Sequence, residues 1–231
     1  MTADPLAEVL WAARDRRASI VDGQTWPAVD QARASAIAAE LYRRCGVADA
    51  TDAVAAWKLG ALDQPTRDRL GLAGPLVAPV LPDRLRIGGP EFRWDLADLV
   101  QPKLEAEIGI LLADGEARLA PCIEVADCRF AGWAVPPACA VADFGLQGAM
   151  LFGAAVAPIP RVGVTVRCDG NPVAEGAGDW SDAVERLAIL PRRLGRSVHI
   201  ATGSITPMVP ATAGVWEFDF GAVGRLVVEL T

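Results

Sequence analysis

Between residues 5 and 17, and again from 28 to 45, apolar positions recur every three or four residues, with Val29, Ala32, Ile37 and Leu41 near one face of the second segment. That spacing predicts two amphipathic helices, the second ended by Gly46. Beyond Thr51 the pattern changes to short apolar runs separated by Gly, Pro and Asp-Gly, which predicts strands and turns. Strands are expected over residues 54–59, 105–112, 119–125, 162–168, 199–202, 215–220 and 225–230, with Asp114-Gly115 and Asp169-Gly170 making hairpin turns. One more helix fits residues 183–194, capped by Ser181 or Asp182 and followed by Gly195. The segment from Gln64 to Asp98, rich in Pro and Gly, reads as a long loop over a site. No internal repeat or linker interrupts the chain. The expected organisation is α+β: one domain over residues 1–231, with a helical layer to residue 50 and a β-rich core from 51.

The strand around Glu105 carries the first chemical signal. Glu105 and Glu107 are two residues apart, so on a strand both side chains point to one face. The run then continues apolar on both faces, as in a strand covered on both sides. Two neighbouring unpaired carboxylates at such a place are costly, and a cation between them removes the cost. Glu124 follows across the Asp114-Gly115 turn, which places it roughly opposite the pair. Three carboxylates, with waters completing the shell, suit Mg²⁺ or Mn²⁺. On spacing alone a second arrangement stays open, in which both glutamates lie on a solvated face and pair with Arg118 or Arg129.

Composition narrows the function classes. With 52% hydrophobic residues in 231, the chain is globular, and its net charge of −7 argues against a nucleic-acid partner. No apolar run approaches the ~20 residues of a membrane helix, and Met1 to Pro5 lacks the basic start of a secretory signal. A cytoplasmic protein is expected. The five cysteines form no Cys-x-x-Cys pair and read as reduced thiols. A single histidine, His199, excludes sites built on several imidazoles. Of the 22 basic residues only Lys58 and Lys103 are lysines. A lysine trades protons where a guanidinium effectively does not.

In chain order, Trp57-Lys58-Leu59-Gly60, Pro102-Lys103-Leu104-Glu105-Ala106-Glu107, Ile123-Glu124-Val125-Ala126-Asp127-Cys128-Arg129 and Thr202-Gly203-Ser204-Ile205-Thr206 resemble the 2-keto-4-pentenoate hydratase and 2-oxo-3-hexenedioate decarboxylase branch of the fumarylacetoacetate hydrolase superfamily. The most specific piece is Pro-Lys-x-Glu-x-Glu followed by Ile-Glu-x-x-Asp-x-Arg. The resemblance implies a mixed β-roll or partly open barrel with helices outside, often assembled into homo-oligomers. It implies Glu105, Glu107 and Glu124 as Mg²⁺ ligands and Lys58 as the active-site lysine. Two departures stand out. Ala142-Asp143-Phe144-Gly145-Leu146-Gln147-Gly148 replaces the usual Asp-Asn followed by serines, and Trp57 stands where tyrosine is more usual.

The implied activity is addition of water to a 2-hydroxy-2,4-dienoate in aromatic meta-cleavage catabolism. Lys58 would transfer a proton or hold the substrate carboxylate. Gly203, Ser204 and Thr206 would offer amides and hydroxyls to a small 2-oxo acid, or form a polar turn between strands, a reading equally open for Thr206, and Gln147 would replace the missing serine. Asp127 and Arg129 would orient the ligands from behind, or more simply pair with each other, and Lys103 would offset the acidic cluster. The alternatives are a decarboxylase of the 2-oxo-3-hexenedioate type, or a non-catalytic subunit associated with a related pathway enzyme. The superfamily's C–C hydrolases resemble one another in an early-loop histidine, which this chain lacks.

Overall fold

The computed structural model of the chain describes residues 4–20, 28–47 and 54–231. Met1 to Ala3 and the change of pattern at Thr51 lie outside the described residues.

The helices form where caps and apolar stripes coincide. Helix α1 (Pro5–Arg16) starts with Asp4, whose carboxylate accepts from the Leu6 amide, and carries Pro at its first position, where no amide hydrogen is needed. Helix α2 (Gln31–Arg44) is capped by Asp30 in the same way. Its buried stripe is Ala34, Ile37, Ala38, Leu41 and Tyr42, so Ala32, expected on that face, turns to solvent. Arg33 pairs with Asp4 at 2.8 Å and ties the two helices together. Their apolar faces pack on Phe130, Cys139 and Phe144.

The strands are β1 (Ala56–Gly60), β2 (Leu76–Pro79), β3 (Leu85–Ile87), β4 (Glu91–Trp94), β5 (Lys103–Ala113), β6 (Glu116–Ala126), β7 (Gln147–Phe152), β8 (Arg161–Cys168), β9 (Asn171–Asp179), β10 (Ser197–Ser204), β11 (Val209–Pro210), β12 (Gly214–Asp219) and β13 (Arg225–Leu230). An eight-stranded mixed sheet runs β2-β1-β10-β5-β6-β7-β3, with β11 on β5, and a five-stranded sheet runs β4-β13-β12-β8-β9. Between them lies the main core. Leu104, Ala106, Ile108 and Ile110 of β5 meet Val162, Val164, Trp216, Phe218 and Val228 of the second sheet. The alternation of β5 then sends Glu105 and Glu107 to the opposite face of the large sheet, toward the helical side.

The seven expected strands correspond to β1, β5, β6, β8, β10, β12 and β13, and both Asp-Gly turns have positive φ at each residue, as type I′ hairpins require. Two expectations are corrected. Residues 183–194 are not a helix: α5 covers Trp180–Glu185 and a short 3₁₀ turn follows at Arg186–Ile189. The Trp180 amide donates to the Pro160 carbonyl, which starts the turn where β9 ends, and Pro191 ends it early. Nor is Gln64 to Asp98 a long loop. It holds α3 (Gln64–Leu70), β2, β3 and β4, and only its first part reaches the site. Helix α4 (Cys139–Ala142) is a single turn. All five cysteines are free.

Candidate metal and substrate site

Four neighbouring strands, β1, β10, β5 and β6, supply the site. The Asp114-Gly115 turn sets the β5–β6 register so that Glu105 sits directly across from Glu124, with Glu107 across from Cys122. On the other side Glu107 is paired with Ser204 of β10, beyond a register shift between Ala201 and Ser204. That bulge contains Gly203 at φ +97°, where a Cβ would stand 2.4 Å from Leu62. Only glycine fits, and the bulge turns the Gly203 amide onto Glu107 Oε2 at 2.7 Å.

Lys58 on β1 and Glu124 on β6 are three strands apart, about 14 Å in a flat sheet. Their direct ion pair therefore reports how far the sheet curls around this face. Lys58 Nζ also donates to the Gly145 carbonyl at 2.9 Å. That carbonyl is aimed by three successive left-handed residues, Phe144, Gly145 and Leu146, a costly backbone for the two non-glycines. What holds it is a fully buried ion cluster. Arg129 pairs with Asp143 at 2.5 Å and Asp127 at 3.1 Å, and also donates to the carbonyls of Asp143 and Gln147. Asp127 in turn accepts from the Val100 and Gln101 amides. Removing one partner of such a buried set leaves an uncompensated charge, typically about 3–5 kcal/mol.

The three glutamates form one group: a carboxylate oxygen from each lies within 4.8 Å of the others. Glu107 and Glu124 are 1% and 2% exposed. Glu105 and Glu107 do not pair with Arg118, which donates to the Ala155 carbonyl, or with Arg129, so the solvated-face arrangement is excluded. Burial, then the neighbouring Glu124, pushes the Glu105 carboxyl up to about 7 against the pull of Lys58 and Lys103. Glu107, fully enclosed, is pushed well above the carboxylate range by burial, then by Glu124 and Glu105. Glu107 Oε1 is buried with no hydrogen-bond partner among the described residues. An acceptor left in that state is unusual, and a hard cation is the partner three converging carboxylates lack.

The raised carboxyl of Glu105 predicts a pH dependence. A carboxyl lifted from 4.5 to about 7 on folding holds its proton more tightly in the native state. Its contribution to stability is fully present below pH 4.5 and lost as pH rises through about 7. Metal-free protein should therefore melt at progressively lower temperature across that window, and saturating Mg²⁺ should remove the slope. Thermal melts with chelator and with Mg²⁺ check this.

Above the glutamates opens a cavity of about 600 Å³, lined among others by Lys58, Lys103, Arg186, Gly203 and Ser204. Lys103 Nζ stands 4.4 Å from the centroid of the Trp133 ring, on the cavity wall. Four residues expected to bind substrate or support the ligands take other places. Gln147 is not on the wall: its amide oxygen accepts from the Leu81 amide, and its nitrogen donates to Tyr42, Pro79 and Phe144. It ties β7 to the helical layer. Thr206 Oγ1 accepts from the Ala106 amide at 3.0 Å, fixing the turn after β10 to β5. Asp127 and Arg129 make no contact with the glutamates and act instead on the 143–147 segment. Trp57 faces the core between the sheets, so its exchange for tyrosine does not touch the cavity. Sequence reasoning missed Arg186, Arg69 and Trp133 on the wall, and no spacing would have marked them.

No family model matches the chain. It is 26% identical over 198 residues to the TodF product hydratase of Pseudomonas putida, covering 73% of each chain. It is 29% identical over 201 residues to the 2-keto-4-pentenoate hydratase of Paraburkholderia xenovorans, covering 74% of each. Among solved structures, 4-oxalocrotonate decarboxylase from Pseudomonas putida G7, complexed with magnesium and adipate, superposes at TM-score 0.81 with 20% identity, over 98% of this chain and 96% of that one. Motifs, relatives and fold thus agree that the chain is similar to the hydratase and decarboxylase branch of the fumarylacetoacetate hydrolase superfamily.

Proposed function

We propose that this lyase adds water to a 2-hydroxy-2,4-dienoate, with Glu105, Glu107 and Glu124 holding Mg²⁺ or Mn²⁺. The observation that carries the reading is the convergence of three carboxylates, one with a buried and unpartnered oxygen, beside a buried lysine. The hydratase names of the relatives support addition of water over other lyase chemistry.

A divalent cation bound there supplies electrophilic stabilisation of the negative charge that develops on a 2-oxo oxygen. The chain's own residues do the rest. Lys58 Nζ has three hydrogens; two are committed to Glu124 and Gly145, and the third is left for a substrate in the cavity. The dienol first ketonises, losing its 2-hydroxyl proton and gaining a proton at C5; the role of Lys58 is then to deliver a proton to C3 while the oxygen of water joins C4 and gives up one proton, which restores the lysine, leaving a 4-hydroxy-2-oxo acid. The Gly203 amide holds Glu107 in one orientation. The Arg129 cluster keeps the Gly145 carbonyl, and with it Lys58, in place. Under this reading the enzyme works in the cytoplasm as a homo-oligomer.

The test is Mg²⁺-dependent loss of 2-hydroxypenta-2,4-dienoate absorbance by the isolated protein, run beside CO₂ release from 2-oxo-3-hexenedioate. Turnover of the dienoate is the expected result. CO₂ release alone would assign the decarboxylase. Metal binding without either reaction would assign a non-catalytic subunit.

A further inference from the structure

On the cavity face of β5, Lys103, Glu105 and Glu107 stand at alternate positions and line one opening. Two residues along a strand span about 7 Å, so a lysine side chain at 103 can reach the Glu105 carboxylate. It does not pair with it. The Lys103 ammonium lies instead 4.4 Å from the centroid of the Trp133 ring and has no acidic partner among the described residues. The other cations on the wall are committed or remote. Lys58 is held by Glu124 and the Gly145 carbonyl, Arg186 Nη1 by the Thr202 carbonyl, and Arg69 stands on the exposed side of α3.

Trp133 is held firmly in the wall. Gly132 and Trp133 are both left-handed, at φ +62° and +63°, a conformation that is costly for tryptophan. Trp133 Nε1 donates to the Gln101 carbonyl at 3.0 Å. The Gln101 side chain in turn donates to the Cys128 and Phe130 carbonyls and accepts from the Gly132 amide, so both its donor hydrogens and its oxygen are used. These bonds fix where the indole points, and it points at Lys103. An aromatic face attracts an ammonium without cancelling its charge, as a carboxylate would.

We propose that Lys103 binds the 1-carboxylate of the 2-oxo acid, and that Trp133 is a positioning residue that keeps the Lys103 ammonium off Glu105. This rests on the reading of the glutamates as a metal site. The three glutamates with Lys58 carry two net negative charges, which a divalent cation cancels. A substrate carboxylate then brings one negative charge more, and Lys103 is the ammonium left on the same strand face to meet it. Pairing with Glu105 would spend that charge and make Lys103 a competitor for a metal ligand, as Lys58 is at Glu124. The indole prevents both.

The test titrates 2-oxopentanoate, a saturated acid with no double bond to hydrate, into the Mg²⁺-loaded protein by calorimetry, and Mg²⁺ into the metal-free protein. Lys103→Met should weaken 2-oxopentanoate about tenfold and raise KM for the dienoate with kcat nearly unchanged, without weakening Mg²⁺. Lys103→Arg, which keeps the charge and can stack on Trp133, should recover most of that affinity. Trp133→Leu should weaken Mg²⁺ about threefold or more, as the released ammonium turns to Glu105, and Trp133→Phe, which keeps an aromatic face, should weaken it less. Combining Lys103→Met with Trp133→Leu should return Mg²⁺ affinity to that of Lys103→Met alone. If 2-oxopentanoate binds Lys103→Met within about twofold of the wild type, the substrate contact is overturned. If Mg²⁺ affinity stays low in the double variant, the role of Trp133 is overturned. The metal reading stands in either case. Absence of Mg²⁺ binding in the wild type overturns the metal reading and this inference together.

Discussion

Glu107→Gln is expected to lower Mg²⁺ affinity by at least about a hundredfold, because even residues behind a metal ligand cost 10–100-fold when lost. The same substitution should raise the melting temperature of the metal-free protein. Glu107 is enclosed beside two other carboxylates, with one oxygen unpartnered, and an uncharged isostere relieves that repulsion and desolvation. The wild type should gain stability on adding Mg²⁺ by mass action, and the variant should gain almost none. Opposite signs in the two conditions separate a lost ligand from a damaged fold, which would lower both melting temperatures. Calorimetric titration and melts with and without Mg²⁺ read both quantities. Unchanged Mg²⁺ affinity in the variant would contradict the assignment of Glu107.

Lys58→Met is expected to reduce kcat by about 10²–10⁴-fold, the range that a positioned proton-transfer group contributes. Mg²⁺ affinity should not fall, since Lys58 is a competing cation on Glu124 and its removal leaves that carboxylate to the metal. Lys58→Arg keeps the charge but effectively cannot give up its proton. If the lysine transfers protons, the arginine variant stays as slow as the methionine variant. If it only holds a substrate carboxylate, arginine restores much of the rate and the loss appears mainly in KM. Steady-state kinetics on the three proteins distinguishes these outcomes.

The residues that were legible in the sequence are those whose placement depends on local rules. Asp114-Gly115 is a two-residue turn, so the register of β5 on β6, and with it Glu105 across from Glu124, follows from counting. The doubly apolar run after Glu107 indicated burial on both faces, and Ile108 and Ile110 on one face and Gly109 on the other are buried, with Leu111 half-buried. The two N-terminal helices followed from apolar residues three and four apart, although the second starts at Gln31, after its Asp30 cap, and not at residue 28.

What was not legible depends on partners far along the chain. Strands β3 and β4 are short segments in a Pro- and Gly-rich stretch, and they form by parallel pairing to β7 and β13. Gln147 begins a strand buried throughout, where no alternation tells which side chain faces a site, and its amide is used up by Tyr42, Pro79 and Leu81. Arg129 stands in the same motif as Glu124, yet beside the neighbouring Asp127 its partner is Asp143, fourteen residues further on, and Asp127 itself accepts from the Val100 and Gln101 amides far earlier in the chain. The bulge at Gly203 and the left-handed turn at 144–146 leave little trace in composition, because Phe144 and Leu146 are ordinary residues in an unusual conformation.

The central claim, that one divalent cation is shared by carboxylates from two adjacent strands, is tested most directly by crystals grown with Mn²⁺ and oxalate. An anomalous difference peak should lie within about 2.2 Å of an oxygen of each of Glu105, Glu107 and Glu124, with oxalate completing the shell from the cavity side. A peak elsewhere, or no peak while the three carboxylates stay where they are, would contradict it.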